Sequence, residues 1–384
     1  TSAIHPDNPE YMAMQEKQIP SLSRAQLLGQ MMKNYENSIA ISGTHGKTTT
    51  TSMISEILLQ SETNPTLSIG GILKTINSNY LVGDTKYFVT EACDYTNSFL
   101  SFYPTVGIIL NIEEDHLDFF KDLNDIRQSF RRFAELLPED GALIIHGDIE
   151  NIDEITNGLS CKVITFGSKD SCCYYPSDIT YNAFGCAEFI CCYPEGHSLK
   201  VTLGVPGEHN IYNALSAIAL AKLLGIKDTD IQTALSGFKG PGRRFEHKGE
   251  IGGVTVIDDY AHHPTEIAAT LSAAQKYPHK TTWCVFQPHT YTRTKSFLKE
   301  FAEALTLADK VVLADIYAAR ETDTLGISSE TLQKEIISLG KECFYFPSFD
   351  EIENFLLENC TCGDLLITMG AGDVHKIGEN LLGV

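Results

Sequence analysis

Eight short apolar runs recur along the chain, separated by stretches with the periodicity of amphipathic helices. Uninterrupted apolar runs are typical of strands that are buried on both faces, as in parallel sheets. In one helical stretch the side chains of Met53, Ile54, Ile57 and Leu58 fall on one face. Strands that alternate with helices predict an α/β architecture. The eight predicted strands are residues 38–42, 86–92, 105–111, 142–147, 253–259, 283–287, 310–316 and 364–370.

The glycine-dense segment 236–253 interrupts this pattern, and the alternation of strands and helices starts again after it. We therefore expect a central domain at residues 38–240 and a C-terminal domain at residues 241–384. Within the central domain, residues 168–205 have the composition of short antiparallel hairpins and predict a small added β-layer. Residues 1–37 form a third piece with one modest helix.

The chain is strongly acidic, with a formal net charge of -21 and an isoelectric point near 4.9. A nucleic-acid partner is not expected, because this charge repels a phosphate backbone and the sequence offers no large basic patch. No apolar run is long enough to cross a bilayer and no signal peptide is recognisable, so we expect a soluble, cytoplasmic protein. The eleven cysteines lack the spacing of a zinc site, and we expect free, buried thiols.

The stretch SGTHGKTTTTSM directly follows the first predicted strand and begins a helix. Gly43 and Gly46 let backbone N–H groups approach a polyphosphate, Lys47 would reach the outer phosphates, and the Thr48 hydroxyl would ligate magnesium. This is the shorter form G-x-x-G-K-T, since Ile41 stands where the common loop has its first glycine. The alternative is a glycine turn before a threonine-capped helix. We predict that ATP or GTP is bound by Gly43, Thr44, His45, Gly46, Lys47, Thr48 and Thr49.

Polar side chains follow the second and third predicted strands. Glu91 stands at the end of the second strand, and Asn111, Asp115 and His116 come directly after the third. Ligands of open α/β sheets gather at the carboxyl ends of strands, so a carboxylate and an imidazole there would suit Mg²⁺ or Mn²⁺. The alternative is that EEDHLD is a solvated acidic turn that caps the next helix.

Asn210 and Asn213 lie one turn apart on a predicted helix, so both amides face one side. An amide donates and accepts hydrogen bonds at once, which matches the edge of an adenine base. The alternative is that Asn210 is a helix N-cap and Asn213 a polar surface residue. The sequence leaves both interpretations open.

The C-terminal domain carries polar clusters at the ends of successive strands, which together predict a site. Arg243 and Arg244 precede its first strand, and an arginine brought from another domain can neutralise a transferring phosphoryl group. Exposed arginines on a linker are equally common. Pro264 is expected at the first position of a helix. The clusters contain Asp258, Asp259, His262 and His263 after the first strand, and His289 and Arg293 after the next.

Taken together, these motifs resemble the Mur ligases, which are ATP-dependent, amide-forming enzymes of peptidoglycan synthesis. The resemblance extends over nearly the whole chain and keeps the family's order of motifs. The motifs that carry it are SGTHGKTTTTSM, EACDYTNSFL, NIEEDHLD, GEHNIYNA, GRRFE, DDYAHHPTEI, FQPHTYTRT and GAGD.

The resemblance implies a central P-loop ATPase-like domain with a mostly parallel sheet and a small β-layer, followed by a Rossmann-like α/β domain. It implies that L-alanine is joined to UDP-N-acetylmuramate through an acyl phosphate, with ATP and Mg²⁺ or Mn²⁺, in peptidoglycan precursor synthesis and hence cell shape and division. The expected partners are these small molecules. Two alternatives stay open: the sister ligase that reattaches recycled tripeptide, and a nucleotide-binding module without ligase activity.

The resemblance also implies a role for each matching residue. Lys47 and Thr48 would hold ATP and magnesium, and Thr48, Glu91 and His116 would ligate the metals. The adenine end would lie at Asn210 and Asn213, with Arg244 and Asp259 gripping the nucleotide. The residues implied on the side of the UDP-sugar and alanine, which we group with Lys47 as candidate catalytic residues, are His262, His289 and Arg293.

The sequence departs from the family pattern at two places. Family members carry a preceding UDP-binding domain, and we expect residues 1–37 to be a remnant of it, which predicts very weak activity for this chain. Thr290 stands where some relatives carry an arginine, so the sugar-phosphate contact at that position is not expected to be the same.

Overall fold

A computed structural model describes residues 4, 6–117 and 119–384. The described residues divide into two compact units. The first unit contains the residues up to Asp178, together with Ile190–Val201 and Tyr212–Gly237. The second contains Ile179–Phe189, Thr202–Ile211 and Phe238–Val384. The domain limits drawn from the sequence, at residues 37 and 240, stay predictions.

The first unit is built on a seven-stranded sheet in the order β3-β2-β4-β1-β5-β6-β7. All neighbouring strands are parallel except β3, which pairs antiparallel to β2 at one edge. The central position of β1, between β4 and β5, places the loop that follows it in the middle of the sheet. The strands are β1 (Asn37–Ser42), β2 (Thr66–Leu73), β3 (Ser78–Leu81), β4 (Tyr87–Glu91), β5 (Val106–Ile109), β6 (Ala142–His146) and β7 (Lys162–Phe166).

Helices cover this sheet, and all of them except the first along the chain, Pro9–Glu16, bury side chains in the first unit. The helix predicted from residue 48 forms from Lys47 to Gln60, and Met53, Ile54, Ile57 and Leu58 are all buried as expected. The helices are α1 (Pro9–Glu16), α2 (Arg24–Met32), α3 (Lys47–Gln60), α4 (Leu123–Ala134), α5 (Asp153–Thr156), α6 (His209–Leu223) and α7 (Asp228–Gly237), with a 3-10 helix at Tyr95–Ser101.

Helix α2 belongs to the core of the first unit. Met32 is buried in the cluster that also contains Phe99 and Phe130. Gly29 lies against the 3-10 helix so closely that a Cβ atom there would come within 2.0 Å of the Ser101 carbonyl oxygen. Residues 1–37 contain too few apolar residues to form a core of their own. In the structure, the end of this segment packs into the core that later residues form.

The small β-layer predicted at residues 168–205 is present. It consists of β8 (Tyr175–Tyr181), β9 (Cys186–Tyr193) and β10 (His197–Pro206), which form a separate sheet in the order β10-β9-β8. All eleven cysteines are free thiols, as expected, but they are not all buried, because Cys93 and Cys362 are exposed. Within the described residues, no helix has both the length and the apolar character needed to cross a membrane.

The second unit is built on a six-stranded sheet in the order β11-β12-β16-β13-β14-β15. Five strands are parallel, and β11 pairs antiparallel to β12 at one edge. Strands β12 and β13 therefore flank β16, and their carboxyl ends lie at the same edge of the sheet. The strands are β11 (Glu246–Ile251), β12 (Val254–Asp259), β13 (Thr282–Phe286), β14 (Lys310–Leu313), β15 (Cys343–Tyr345) and β16 (Leu365–Met369).

The parallel strands of the second unit bury both faces, which explains their uninterrupted apolar sequences. Ile257 packs on one face with α8, α10 and α11, whereas its neighbour Val256 packs on the other face with α12 and α13. Successive side chains of a strand point to opposite faces, so both must be apolar. The helices of this unit are α8 (Pro264–Gln275), α9 (Tyr291–Ser296), α10 (Leu298–Leu305), α11 (Ser329–Ser338), α12 (Phe349–Asn359) and α13 (His375–Leu382).

Candidate active site

The predicted phosphate loop lies between β1 and α3. Gly43 and Gly46 have φ angles of 143° and 81°, which side chains other than glycine rarely tolerate. A Cβ at Gly43 would also approach Leu110 Cβ to 2.9 Å, and one at Gly46 would approach Asn213 Oδ1 to 2.7 Å. Gly46 is the N-cap of α3, so no side chain of the cap covers the amides of the first helical turn. A helix N-terminus of this kind is suited to bind phosphate.

Asn111, directly beyond β5, fixes the shape of the loop. Its Oδ1 accepts a hydrogen bond from the His45 backbone N–H at 2.7 Å, and its Nδ2 donates to the His45 carbonyl at 3.2 Å. The Asn111 carbonyl also accepts from the Thr44 N–H at 3.2 Å. Since β5 is the neighbour of β1, the sheet brings this side chain to the loop. The structure therefore shows Asn111 as a brace for the loop.

Lys47 folds back over the loop. Its Nζ donates to the carbonyl oxygens of Gly43 and Thr44 at 2.5 and 3.0 Å, and it lies 3.5 Å from Asp94 Oδ1. Burial opposes the positive charge, but the nearby groups, chiefly the Asp94 carboxylate, raise the pKa of Lys47 above its ordinary value. Lys47 therefore stays cationic at any pH relevant to phosphate binding. Asp94 itself is almost fully buried, and it was not among the residues predicted from the sequence.

The structure brings two of the predicted metal ligands into direct contact. Thr48 Oγ1 donates to Glu91 Oε2 at 3.0 Å, and the other carboxylate oxygen accepts from the Gly70 N–H at 2.5 Å. A Cβ at Gly70 would come within 2.6 Å of the Glu91 carboxylate, so only glycine fits without moving it. Gly70 was not foreseen, because it acts from β2, a strand that the sequence did not predict.

His116 lies in the segment after β5. Its backbone has a positive φ of 53°, its N–H donates to Asp115 Oδ1 at 2.7 Å, and its ring lies 4.5 Å from the ring of Tyr95. This geometry places the imidazole against the 3-10 helix that follows Asp94. Its role as a metal ligand stays a prediction.

The two asparagines of α6 make different contacts. Asn213 lies against Gly46 of the phosphate loop. Asn210, in the first turn of the helix, donates from Nδ2 to the Pro206 carbonyl at 2.7 Å. Helix α6 begins at His209, so Asn210 is not the N-cap that the alternative interpretation required. Adenine recognition by either residue stays a prediction.

In the second unit, a buried carboxylate organises the end of β12. Asp259 Oδ1 accepts from the Ala261 N–H at 2.7 Å, and Oδ2 accepts from the Phe245 N–H at 2.8 Å. Burial raises the pKa of Asp259 to about 6, although Arg244 and these two hydrogen bonds act in the opposite direction. Asp259 therefore joins the glycine-rich segment before β11 to the turn after β12.

The two adjacent arginines have different surroundings. Arg243 donates to Asp258 Oδ2 at 2.8 Å and to the carbonyls of Gly370 and Gly372 at 2.8 and 3.1 Å. These contacts tie three segments of the second unit together, including the GAGD motif. Arg244 lies 3.5 Å from Glu266, and both guanidinium groups lie over the ring of Tyr260, at 5.0 Å for Arg243 and 5.3 Å for Arg244. The structure thus gives Arg243 a bracing role, and ligand contact by Arg244 stays a prediction.

The predicted histidines of the second unit come together. The rings of His262 and His289 are 5.6 Å apart, and Arg293 Nη1 lies 3.1 Å from His289 Nδ1. His263 is the N-cap of α8 and Pro264 its first residue, as expected. Thr290 caps α9, accepting from the Arg293 N–H at 3.4 Å. Glu266 was not predicted from the sequence. Its position four residues after His262 could have indicated the contact, because residues four apart on a helix are neighbours on its surface.

Comparison with known proteins shows which family the chain is similar to. A family profile described as Mur ligase middle domain matches residues 41–221, and one described as Mur ligase, glutamate ligase domain matches residues 243–372. The chain is 60% identical over 383 residues to a UDP-N-acetylmuramate–L-alanine ligase from Lachnospira eligens, covering 100% of this chain and 83% of the relative. It is 48% identical over 382 residues to the enzyme of that name from Caldanaerobacter subterraneus, again covering 100% and 83%.

Solved structures show the same relationship. The UDP-N-acetylmuramate-alanine ligase from Thermotoga maritima matches with a TM-score of 0.84 and 28% identity, covering 99% of this chain and 83% of that one. A murein peptide ligase from Psychrobacter arcticus matches with a TM-score of 0.75 and 25% identity, covering 99% and 84%. The chain belongs to the Mur ligase family. Its fold is the family's combination of a parallel-sheet central domain and a C-terminal α/β domain.

Proposed function

We propose that this chain catalyses the ATP-dependent ligation of L-alanine to UDP-N-acetylmuramate, with an acyl phosphate as the intermediate. The observation that carries the proposal is the phosphate loop with Lys47 folded over it and the pair Thr48 and Glu91 at its helix. The sequence similarity to ligases of this name supports the choice of substrates.

The residues of the loop fit a nucleotide. Gly43 and Gly46 keep open the space that a Cβ would fill, and the first turn of α3 offers backbone N–H groups. Lys47 would leave the loop carbonyls and contact the outer phosphates as a cation. In this family ATP phosphorylates the muramyl carboxylate, and the amine of L-alanine then attacks the acyl phosphate and releases phosphate.

A divalent cation also fits the donor set. The Thr48 hydroxyl and the Glu91 carboxylate are hard oxygen ligands of the kind that Mg²⁺ prefers, and His116 would extend the choice to Mn²⁺. When bound, such a cation would neutralise charge on the phosphates during transfer. In the second unit, Arg244 would grip the nucleotide, with Asp259 holding the surrounding backbone. A cytoplasmic location and small-molecule partners are part of the same proposal.

The experiment that tests the proposal is phosphate release from ATP, measured with and without each partner substrate. We expect release that requires both UDP-N-acetylmuramate and L-alanine. Release that instead requires a tripeptide would favour the recycling ligase, to which the chain is also structurally similar. Nucleotide binding without any substrate-dependent release would contradict ligase activity.

A second measurement tests the phosphate loop itself. Lys47→Ala should raise the Kd of ATP about tenfold or more, because a charged contact to the phosphates is lost. Lys121→Ala, an exposed lysine elsewhere in the first unit, serves as the control and should leave the Kd unchanged. An unchanged ATP affinity in Lys47→Ala would contradict the proposed nucleotide site.

A further inference from the structure

Asp94 is a buried carboxylate beside the phosphate loop, to which the proposed function assigns no role. Its side chain is only 3% exposed, and its Oδ1 lies 3.5 Å from Lys47 Nζ. Within the residues that the structure describes, this oxygen accepts no hydrogen bond, and Lys47 is the one ion-pair partner of Asp94. The Lys47 ammonium therefore balances a negative charge that folding has removed from water.

The backbone around Asp94 is anchored to the core of the first unit. The Asp94 carbonyl accepts a hydrogen bond from the Asn97 N–H at 2.9 Å, and the Cys93 carbonyl accepts one from the Phe99 N–H at 3.0 Å. Phe99 is fully buried and stacks on Phe133 of α4, with ring centres 4.9 Å apart. The carboxylate thus has a fixed position, whereas the lysine side chain beside it has several rotatable bonds.

Lys47 makes contacts of two kinds. Its Nζ donates hydrogen bonds to two neutral acceptors, the carbonyl oxygens of Gly43 and Thr44. Its contact with Asp94 is an ion pair without a hydrogen bond. The attraction between these two side chains therefore acts through charge, which does not require one orientation of the ammonium protons.

Phosphate binding requires Lys47 to give up only the first kind of contact. A phosphate oxygen is an anionic acceptor, so exchanging the carbonyls of Gly43 and Thr44 for phosphate strengthens the hydrogen bonds of the ammonium group. Moving away from Asp94 would instead leave a buried carboxylate without its cation, which is strongly unfavourable. Lys47 can therefore turn from the loop carbonyls to a phosphate, but it is restrained from moving far from Asp94.

We propose that Asp94 is a positioning residue, whose fixed charge keeps the Lys47 ammonium over the phosphate loop both in the empty site and when phosphates are bound. This inference rests on the proposed function. Asp94 acts through Lys47 and not by touching the nucleotide. Its own charge repels the phosphates, so it weakens ATP binding while it fixes the cation in place for phosphoryl transfer.

The ion pair can be observed in ¹H–¹⁵N correlation spectra of the lysine ammonium groups, recorded on the full chain with ¹⁵N-labelled lysine. Exposed ammonium protons exchange with water too fast to be seen, whereas those of a held ammonium group stay visible. The Lys47 signal is assigned by its disappearance in Lys47→Ala. We expect it in the wild type, with and without a non-hydrolysable ATP analogue, and expect it to broaden or shift in Asp94→Asn. An unchanged signal in Asp94→Asn, or none in the wild type, would overturn the proposal.

ATP affinity and turnover should respond to Asp94→Asn in opposite ways. The Kd of ATP should fall below that of the wild type, because a negative charge near the phosphates is lost. Alanine-dependent turnover should fall about ten- to a hundredfold, because Lys47 is no longer held in place. A purely structural role would weaken both together. A Kd that rises as turnover falls would therefore overturn the proposal.

A double substitution tests whether Asp94 acts through Lys47. In Lys47→Ala the Asp94 carboxylate is buried without its cation, which should lower the urea concentration at the midpoint of unfolding. Adding Asp94→Asn removes that charge, so the double variant should be more stable and bind ATP more tightly than Lys47→Ala. Its turnover should equal that of Lys47→Ala, because no lysine is left to position. Losses that simply add in the double variant would overturn the proposal.

The first unit offers a matched control. Asp228 forms an ion pair with Lys222, a lysine whose side chain is 19% exposed, compared with 17% for Lys47. This pair joins the end of α6 to the start of α7 and belongs to no part of the proposed site. Asp228→Asn should leave the Lys47 signal, the Kd of ATP and the turnover unchanged. Changes equal to those in Asp94→Asn would reflect the loss of any acidic charge and would contradict a specific role for Asp94.

Failure of this inference can be told apart from failure of the proposed function. Wild-type protein without alanine-dependent phosphate release would contradict the ligase activity, and wild-type protein that binds no ATP would contradict the nucleotide site. The spectra of the empty protein and the unfolding midpoints would still decide whether Asp94 holds Lys47, because neither measurement requires a ligand.

Discussion

Thr48 Oγ1 donates a hydrogen bond of 3.0 Å to Glu91 Oε2, across 43 residues of sequence. The contact forms because β4, which ends at Glu91, pairs directly with β1, which leads into the phosphate loop. The Gly70 N–H holds the second oxygen of the same carboxylate from β2, the next strand of the sheet. Three neighbouring strands thus place one carboxylate beside the first turn of α3.

Replacing Glu91 by glutamine should weaken binding of a divalent cation. Glu91→Gln keeps the size of the side chain but removes the negative charge, so the affinity for Mn²⁺ should fall about tenfold or more. The measurement is a Mn²⁺ titration followed by electron paramagnetic resonance in the presence of ATP. Glu139→Gln, at an exposed position of the same unit, should bind Mn²⁺ as the wild type does. Equal affinity in all three proteins would exclude Glu91 as a ligand.

Replacing Gly70 by alanine should impair the site without unfolding the protein. The new Cβ would lie 2.6 Å from the Glu91 carboxylate, so the flexible end of Glu91 must move away from Thr48. We expect weaker Mn²⁺ binding and slower turnover, whereas the free energy of unfolding should change by less than about 1 kcal/mol. Gly237→Ala, where a Cβ meets open space, is the matched control. A fully active Gly70→Ala protein would show that the position of Glu91 is not critical.

Arg243 and Arg244 should respond to substitution in opposite ways. Arg243→Ala leaves Asp258, which is 1% exposed, without its guanidinium partner and should destabilise the protein by about 3 kcal/mol or more. Arg244→Ala should instead slow ligation and raise the KM for ATP, with a smaller loss of stability. Urea unfolding and steady-state kinetics of both variants distinguish the two. Similar effects of the two substitutions on stability and turnover would contradict the division of roles.

The strands that the sequence predicted share one physical property. All eight are flanked on both sides by other strands and are buried on both faces, which produces the uninterrupted apolar runs. The strands that it missed include the four at the edges of the two large sheets, β3, β7, β11 and β15. Edge strands have fewer neighbours, and β11, with the sequence EHKGEI, carries hardly any apolar signal. The fifth missed strand, β2, contains two adjacent glycines, which usually indicate a turn.

The candidate site was predictable where a residue acts through its own chemistry. Lys47, Thr48 and Glu91 stand next to recognisable motifs, and the structure brings them to one place. Gly70 acts through its backbone N–H and by leaving room for the Glu91 carboxylate, so its importance depends on the position of β2 beside β4. The sequence also could not show which of the two arginines, Arg243 or Arg244, braces the fold and which is expected to contact the ligand. Their different directions follow from the backbone, where Arg243 has a positive φ of 60° and Arg244 does not.

Asp259 should make stability depend on pH between about 4 and 6. Burial raises its pKa to about 6 in the folded protein, whereas an aspartate in an unfolded chain titrates near 4. In this window the folded state binds a proton that the unfolded state does not, so stability falls as the pH rises through the folded pKa. Lowering the pH from about 7 to 5 should therefore stabilise the wild type by about 1 kcal/mol relative to Asp259→Asn.

The measurement is urea unfolding of wild type and Asp259→Asn at several pH values between about 4.5 and 7.5, a range that brackets the folded pKa. Asparagine can replace only one of the two acceptor oxygens that Phe245 and Ala261 use, so the substitution lowers stability by an amount that does not depend on pH. Comparing how the stability of each protein changes with pH removes this constant difference. The two proteins should differ most at the acidic end, because the wild type gains there by protonation and the variant cannot. Parallel stability curves across the whole range would mean that Asp259 titrates normally in the folded state, and Arg244 and the two backbone amides would then stabilise the charged carboxylate as strongly as burial opposes it.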